Sequence, residues 1–453
     1  MPQQALNSNF KKTFSNKALF TLIFPIVIEQ ALALLVGIAD TFMVSYAGEA
    51  AISGIALVTQ IDNVFIVIFS AMAAGGSVVV SQYIGADNRQ GGIRAAGQLV
   101  MIITLIGVGI AALVLIGADG IFSLLFSGVE DDVHQAGTLY MRITAASFIF
   151  LGIYNACAGI RRSMGDTKTV MYVAMIMNGL NIAGNAVGIF VFRAGVAGVA
   201  VPSLISRITA AAIMLVLVTR PVKVVYVKLR DVFAWDAAMI KRIFRIALPN
   251  SVENGLFMLA KLFISTVVAL FGTVQIAAYG VAQSFWSMSA VFCLAMNSAF
   301  ITVIGQNMGA GDIEGADHYL KKLLKIDIVG AVLWNAALYG IALMLIGCYS
   351  LSPEAAALAR TLVLIHNVFN GFLYSVSSGL SSGLRAAGDA RYSMVSTIIS
   401  SVVVRVAMSV LLGYVLGFGV VGVAFGMVSE WLCKGLLIFV RYRSGKWKNF
   451  RVI

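Results

Sequence analysis

Residues 24–44 of this chain read FPIVIEQALALLVGIADTFMV. The stretch is apolar enough to cross a bilayer, yet it carries two acids, Glu29 and Asp40, eleven positions apart. At about 100° and 1.5 Å per residue, that spacing puts both on nearly the same helix face, roughly 16 Å from each other. A carboxylate at bilayer depth costs about 3 kcal/mol or more, so such residues belong to the lining of a polar path and not to a lipid-facing surface. Asp62, Glu253, Asp327 and Glu430 stand in equally apolar surroundings. Six acids placed in this way point to a transporter.

The rest of the chain repeats the pattern. Hydrophobic residues make up 60% of the 453 residues and charged residues 11%, with a mean hydropathy of +0.93. Apolar runs of about 20 residues are each long enough to cross roughly 30 Å of hydrocarbon. Twelve are expected, at 18–43, 51–80, 94–117, 136–159, 169–192, 196–219, 240–270, 275–305, 320–348, 358–382, 392–416 and 419–440. The fold class is therefore an all-α polytopic membrane protein. With the N-terminus inside, 25 of the 32 Lys and Arg residues fall on the inner side and only Arg193 and Arg360 on the outer. This asymmetry obeys the positive-inside rule. It predicts two cytoplasmic termini and contacts with anionic membrane lipid, and it explains the net charge of +12 without invoking nucleic acid. Lys11, Lys12 and Lys17 ahead of the first run read as the flank of an uncleaved span, not a signal peptide. Cys157, Cys293, Cys348 and Cys433 show no paired spacing and read as packing residues.

At an offset of 224, residues 25–86 align without gaps on residues 249–310. Pro25 and Glu29 match Pro249 and Glu253, Gly48 matches Gly272, and Gln82 and Gly85 match Gln306 and Gly309. Further on, RRSMGDTK at 161–168 aligns with GLRAAGDAR at 383–391 through Arg162/Arg385, Gly165/Gly388 and Asp166/Asp389. GVAGVA at 195 recurs as GVVGVA at 419. Two pseudo-symmetric six-helix lobes follow, 1–219 and 240–453, with a basic amphipathic linker at 220–239 lying on the inner leaflet. Six spans per half make the repeat parallel, its axis along the membrane normal. Such a frame suits alternating access, and it also suits a channel or a membrane enzyme.

Asp40 is the leading candidate for cation coupling, because burial disfavours the charged carboxyl and favours binding of a proton or a cation; a purely structural hydrogen bond is the competing reading. In the fifth span, MIMNGLNIAGNAVGIF at 175–190 places Asn178, Asn181 and Asn185 along one stripe. The stripe serves either as interhelical glue or, with hydroxyls from Tyr140 and Ser203, as oxygen ligands completing a site at Asp40 that hard cations such as sodium favour. The halves differ at this point, since Ile264 takes the place of Asp40 and Lys261 stands one turn earlier. Glu29, Glu253 and Lys261 are candidate cavity charges, with Lys261 either neutralising Glu253 or responding to substrate. Pro25 and Pro249 each remove a backbone hydrogen bond inside a span and are candidate kinks. Arg142, Arg207, Arg405 and Lys434 are expected to snorkel or pair near span ends. Phe257, Met258, Phe285, Trp286, Met288 and Phe292 offer an apolar wall for lipophilic substrates or simple core packing.

FPIVIEQ…GIADTFMVSYAGEAAISG, SQYIGADNRQ, YMRI…RRSMGDTK, LPNSVENGLFMLAKLF…FGTVQIAAYGVA and GLRAAGDAR, in this order along nearly the whole chain, resemble the multidrug and toxic compound extrusion (MATE) family. The resemblance implies a secondary transporter exporting amphiphilic or cationic drug-like compounds by antiport with protons or sodium. In members with a cation site in the first half, an Asp in the first span works with a Tyr, an Asn, a second Asp four residues later and a hydroxyl residue. Asp40, Tyr140, Asn181 and Ser203 match those positions; Asn185 replaces the second Asp, which leaves one carboxylate and tilts the coupling ion from sodium towards the proton. Glu253 resembles the acid that some members carry in the seventh span, and Lys261 points to a bacterial, DinF-like, Firmicutes-type subset. A monomer in the bacterial inner membrane is the expected setting, with no cofactor beyond the coupling ion. A flippase for a lipid-linked or glycoconjugate substrate is the rival function. An enzyme is not expected, because no HExxH or nucleophile motif is present and His134, His318 and His366 lie far apart.

Overall fold

Within hydrocarbon every backbone N–H and C=O must bond inside its own segment, which leaves helices as the outcome for isolated apolar runs. A computed structural model describes residues 14–126, 128–347, 349 and 351–453, so Lys11, Lys12 and Cys348 lie outside the described residues. Twelve helices are long and apolar enough to cross a membrane: α1 (Asn16–Val44), α2 (Glu49–Gly85), α3 (Arg89–Leu125), α4 (Asp131–Ser163), α5 (Thr167–Val191), α6 (Ala197–Thr219), α7 (Ala237–Ala269), α8 (Thr273–Gly309), α9 (Ile313–Ile346), α10 (Pro353–Ala387), α11 (Ala390–Val415) and α12 (Gly419–Arg443). Each expected span is found. Helices such as α2 and α3, at 37 residues each, outrun their apolar segments because hydropathy marks only the part inside hydrocarbon. Outward faces stay greasy, with Ile116 88% and Leu124 82% exposed, as lipid contact requires and aqueous solution would not tolerate.

Packing divides the described residues into two compact units, one within 24–80 and 89–251, the other within 14–23, 81–88 and 252–453. In the N-terminal unit the linker is held on the start of α3: Gln98 Nε2 donates to the Asp231 and Ala234 carbonyls at 2.7 and 2.5 Å, and Arg89 Nε donates to the Val224 carbonyl at 3.1 Å. Its short helix Leu229–Phe233 leaves Phe233 and Trp235 exposed. Between α4 and α5, Asp166 accepts from Arg161 and from the Thr169 hydroxyl. Burial pushes its carboxyl up, but Thr169, Lys223 and Arg161 together hold it below the usual carboxylate range.

The repeat is visible in the turns. Gly48 and Gly272, matched by the offset, both adopt positive φ (100° and 87°), as do Gly165 and Gly388 (78° and 109°), a region that side chains other than glycine rarely enter. In the C-terminal unit, Gly85 packs on the backbone of Gln306 while Gly309 packs reciprocally on the backbone of Gln82. The motif keeps glycine at both places because two helix ends cross there in backbone contact. Gly85→Val and Gly309→Val are each expected to cost about 1–3 kcal/mol through overpacking. Thermal unfolding of the detergent-solubilised protein checks this, and an unchanged Tm in both variants contradicts the tight crossing.

Candidate functional site

Small residues bring α5 and α6 together. Gly188 and Gly198 meet backbone to backbone, and Gly184 lies so close to Pro202 that an added Cβ would come within 2.6 Å of it, the close approach that glycine permits between membrane helices. The amide stripe of α5 is thereby set against α6 and α1. Asn185 Nδ2 donates to Asp40 Oδ1 at 2.8 Å, and Asn181 lies 2.9 Å from Ser203 Oγ. Turned by 180°, the Asn181 amide donates to both Asp40 oxygens at 3.0 and 3.2 Å and accepts from Ser203. Asp40, Asn181, Asn185 and Ser203 therefore form one cluster, from which Asn178 is absent. Asp40 is half-buried, whereas Asn185 is fully buried. Tyr140 of α4 packs beside them and stands in the electrostatic neighbourhood of Asp40, Asp62 and Arg207.

Two members of this neighbourhood were not among the candidate ligands. Asp62 of α2 is buried and accepts a 3.4 Å hydrogen bond from the Thr144 hydroxyl. For Arg207 of α6 the sequence left snorkelling and pairing near a span end both open. The side chain points inward, donates to Ser147 Oγ at 2.5 Å and faces both Asp40 and Asp62. The signal for Asp62 was its place among the six intramembrane acids; for Arg207, periodicity could not tell an inward from an outward face on a helix apolar all round.

Glu29 does not join Asp40. It pairs with Arg162 of α4, and the repeat reproduces the arrangement in the C-terminal unit, where Glu253 pairs with Arg385 at 3.2 Å. The second carboxylate gathers more partners, namely Lys434 at 3.0 Å, Ser393 at 3.0 Å and Thr397 at 2.9 Å. Lys261 is not among them; its ammonium lies over the Trp286 ring, 5.6 Å from the centroid. Arg405 pairs with Glu430 at 3.0 Å, and the Ser401 hydroxyl donates to the same carboxylate at 2.5 Å. Arg142, by contrast, pairs with Asp119 at an exposed position. Pro25 and Pro249 sit inside α1 and α7, each four residues before its clamped glutamate. Phe285, Trp286 and Trp431 are buried in core clusters, so these aromatics pack the unit's interior. Among the described residues no three His, Cys, Asp or Glu side chains converge on a common metal position.

Removing one partner from a buried pair strands the other charge, at about 3–5 kcal/mol. Arg405→Met is expected to lose that much stability, and adding Glu430→Leu to recover most of it. Thermal stability of the single and double variants checks this, and equal losses in both contradict the pairing.

The model of the MatE family matches residues 25–187 and 249–411, once in each half. An uncharacterized transporter, YisQ of Bacillus subtilis, is 27% identical over 98% of this chain and 97% of its own length. A probable multidrug resistance protein, NorM of Thermotoga maritima, is 24% identical over 96% and 94% respectively. Among solved structures, an outward-facing MATE transporter of the MOP superfamily superposes with a TM-score of 0.88 at 22% identity, covering 96% of this chain and 97% of that one. A MOP superfamily transporter from Pyrococcus furiosus gives a TM-score of 0.87 at 23% identity over the same shares. With both halves matched by the family model and twelve membrane-crossing helices arranged as in these structures, the chain belongs to the MATE family and is a secondary-active membrane transporter, not an enzyme.

Proposed function

We propose that this transporter exports amphiphilic or cationic drug-like compounds across the bacterial inner membrane by antiport with protons, and that Asp40 is the coupling residue. The observation that carries the reading is the Asp40 cluster, a half-buried carboxylate held by two neutral amides. The amide of Asn181 suits both protonation states. Facing the ionised acid with its NH2, it donates to both oxygens while Ser203 donates to its carbonyl. Facing the neutral acid with its carbonyl, it accepts the acid's proton and donates to Ser203 Oγ, which in turn bonds the Val199 carbonyl at 3.0 Å. A proton can thus arrive or leave with no buried donor or acceptor of that amide left unmatched, a loss that would otherwise oppose the change. Loading Asp40 removes a negative charge that favours a bound cation, which couples proton entry to release of the exported compound.

One carboxylate in the cluster, with Asn185 where a second acid would strengthen a sodium site, supports the proton over sodium. Tyr140 acts beside the cluster, and Glu29 and Glu253 serve as clamped charges that hold α4 and α10 to their proline-bearing helices. Lys261, free of Glu253, contributes charge where substrate binds. The reading places the functional halves at 1–219 and 240–453 with 220–239 as linker, both termini in the cytoplasm, a monomeric transport unit, and membership of the DinF-like, Firmicutes-type subset. The multidrug resistance attributed to the Thermotoga relative supports the substrate class.

Proteoliposomes loaded with ethidium and given either a proton or a sodium gradient test the proposal. Efflux is expected to follow the proton gradient in the parent and to be lost in Asp40→Asn, with Asn185→Ala intermediate. Gradient-driven efflux that persists in Asp40→Asn rejects the coupling role, and efflux that follows sodium alone rejects the proton.

A further inference from the structure

Asp327 on α9 is 0% exposed, and no nitrogen or oxygen donor among the described residues reaches either of its carboxylate oxygens, which have only the Cys293 thiol beside them. The other buried acids of the spans all have company: Glu29 has Arg162, Asp62 has Thr144, Glu253 has Arg385 and Lys434, and Glu430 has Arg405 and Ser401. No ion pair among the described residues reaches Asp327. An ionised carboxylate so placed would be neither paired nor solvated, a state that proteins avoid by neutralising the group.

Its surroundings are specific. The helices packed on α9 are α8 and α10. From α8 comes Cys293, whose Sγ lies 3.3 Å from Ser375 Oγ of α10, both side chains buried. Gly379 of α10 approaches so closely that an added Cβ would stand 2.9 Å from Asp327 Oδ2. The titratable groups facing the acid are Cys293 from α8 and Tyr374 from α10, and neither supplies a positive charge. A soft thiol beside the carboxyl makes a poor shell for a hard metal cation and leaves the proton as the fitting ligand. Tyr374 closes a π-helical turn, Asn370–Tyr374, a distortion that often accompanies functional positions. The same turn opens with buried Asn370, 3.3 Å from Asn335 of α9.

The repeat shows that this polarity is particular to one half. Cys293, Asp327 and Ser375 match Phe69, Ile103 and Gly152, and α9 starts 224 residues after α3 as Asp327 follows Ile103. Those three N-terminal residues meet in a dry contact, with Gly152 against Ile103 and Phe69. One half fills the position with hydrocarbon, whereas the other places an acid, a thiol and a hydroxyl there.

We propose that Asp327, with Cys293 and Ser375, forms a second proton-binding site in the C-terminal unit, loaded in this conformation and unloaded to water during the transport cycle. The transport role rests on the proton-coupled reading given above, whereas the protonated state of Asp327 does not. Infrared spectroscopy of the purified protein at neutral pH is expected to show a protonated-carboxyl C=O band that is lost in Asp327→Asn, shifted in Asp327→Glu and retained in Asp40→Asn. Asp327→Asn mimics the loaded acid, so it should keep the parent's Tm while losing the pH dependence of ethidium efflux. If Asp327→Asn does not fold, the shift of the band in Asp327→Glu decides the assignment. Absence of a band assignable to Asp327 overturns the proposal, and so does a band accompanied by unchanged efflux and pH profile in Asp327→Asn, which would mark a merely structural acid. Persistent efflux in Asp40→Asn would overturn the Asp40 reading and leave the Asp327 band standing.

Discussion

A charged side chain inside an apolar bundle is tolerated only with a partner, and this constraint organises most of what is polar in the protein. Glu29 with Arg162 and Glu253 with Arg385 are the same solution used once in each half, tying the proline-bearing helix of that half to the helix three further along the chain. The pairs add polar ties between helices, which matters because lipid is as apolar as the helices themselves. At Asp327 the constraint is relaxed and the acid is left to neutral neighbours, whereas Asp40 and Asp62 both face the cation of Arg207.

The halves share a frame and differ in chemistry. Asp40 and Asp62 of the N-terminal unit are matched by Ile264 and Trp286, whereas Ile103 and Phe69 are matched by Asp327 and Cys293. Duplication supplied two identical scaffolds, and polar groups were then placed in complementary positions.

Much of this was legible in the chain itself. The twelve helices followed from apolar length alone, and Asp40, Asn181 and Asn185 stood out because one polar residue in an apolar helix has few innocent explanations. The partners were harder. Glu29 and Arg162 are 133 residues apart, and nothing in local spacing joins them, while the repeat shows only that the arrangement occurs twice. Arg207, like Lys261, was left open, since a helix apolar on every side gives no phase from which to read a face. Asp327 was visible as a buried acid, but its lack of partners is a property of packing that no pattern encodes.

The reciprocal crossing at Gly85 and Gly309 bears on biogenesis. The last turn of α2 belongs to the same compact unit as residues 252–453, on a surface that α8 supplies. At about 5–20 residues per second of synthesis, that surface emerges on the order of 10–40 s after α2 has been made. Throughout that interval the ribosome-bound intermediate carries an unfinished joint at the end of α2, so that joint cannot close before translation of the second half is well advanced.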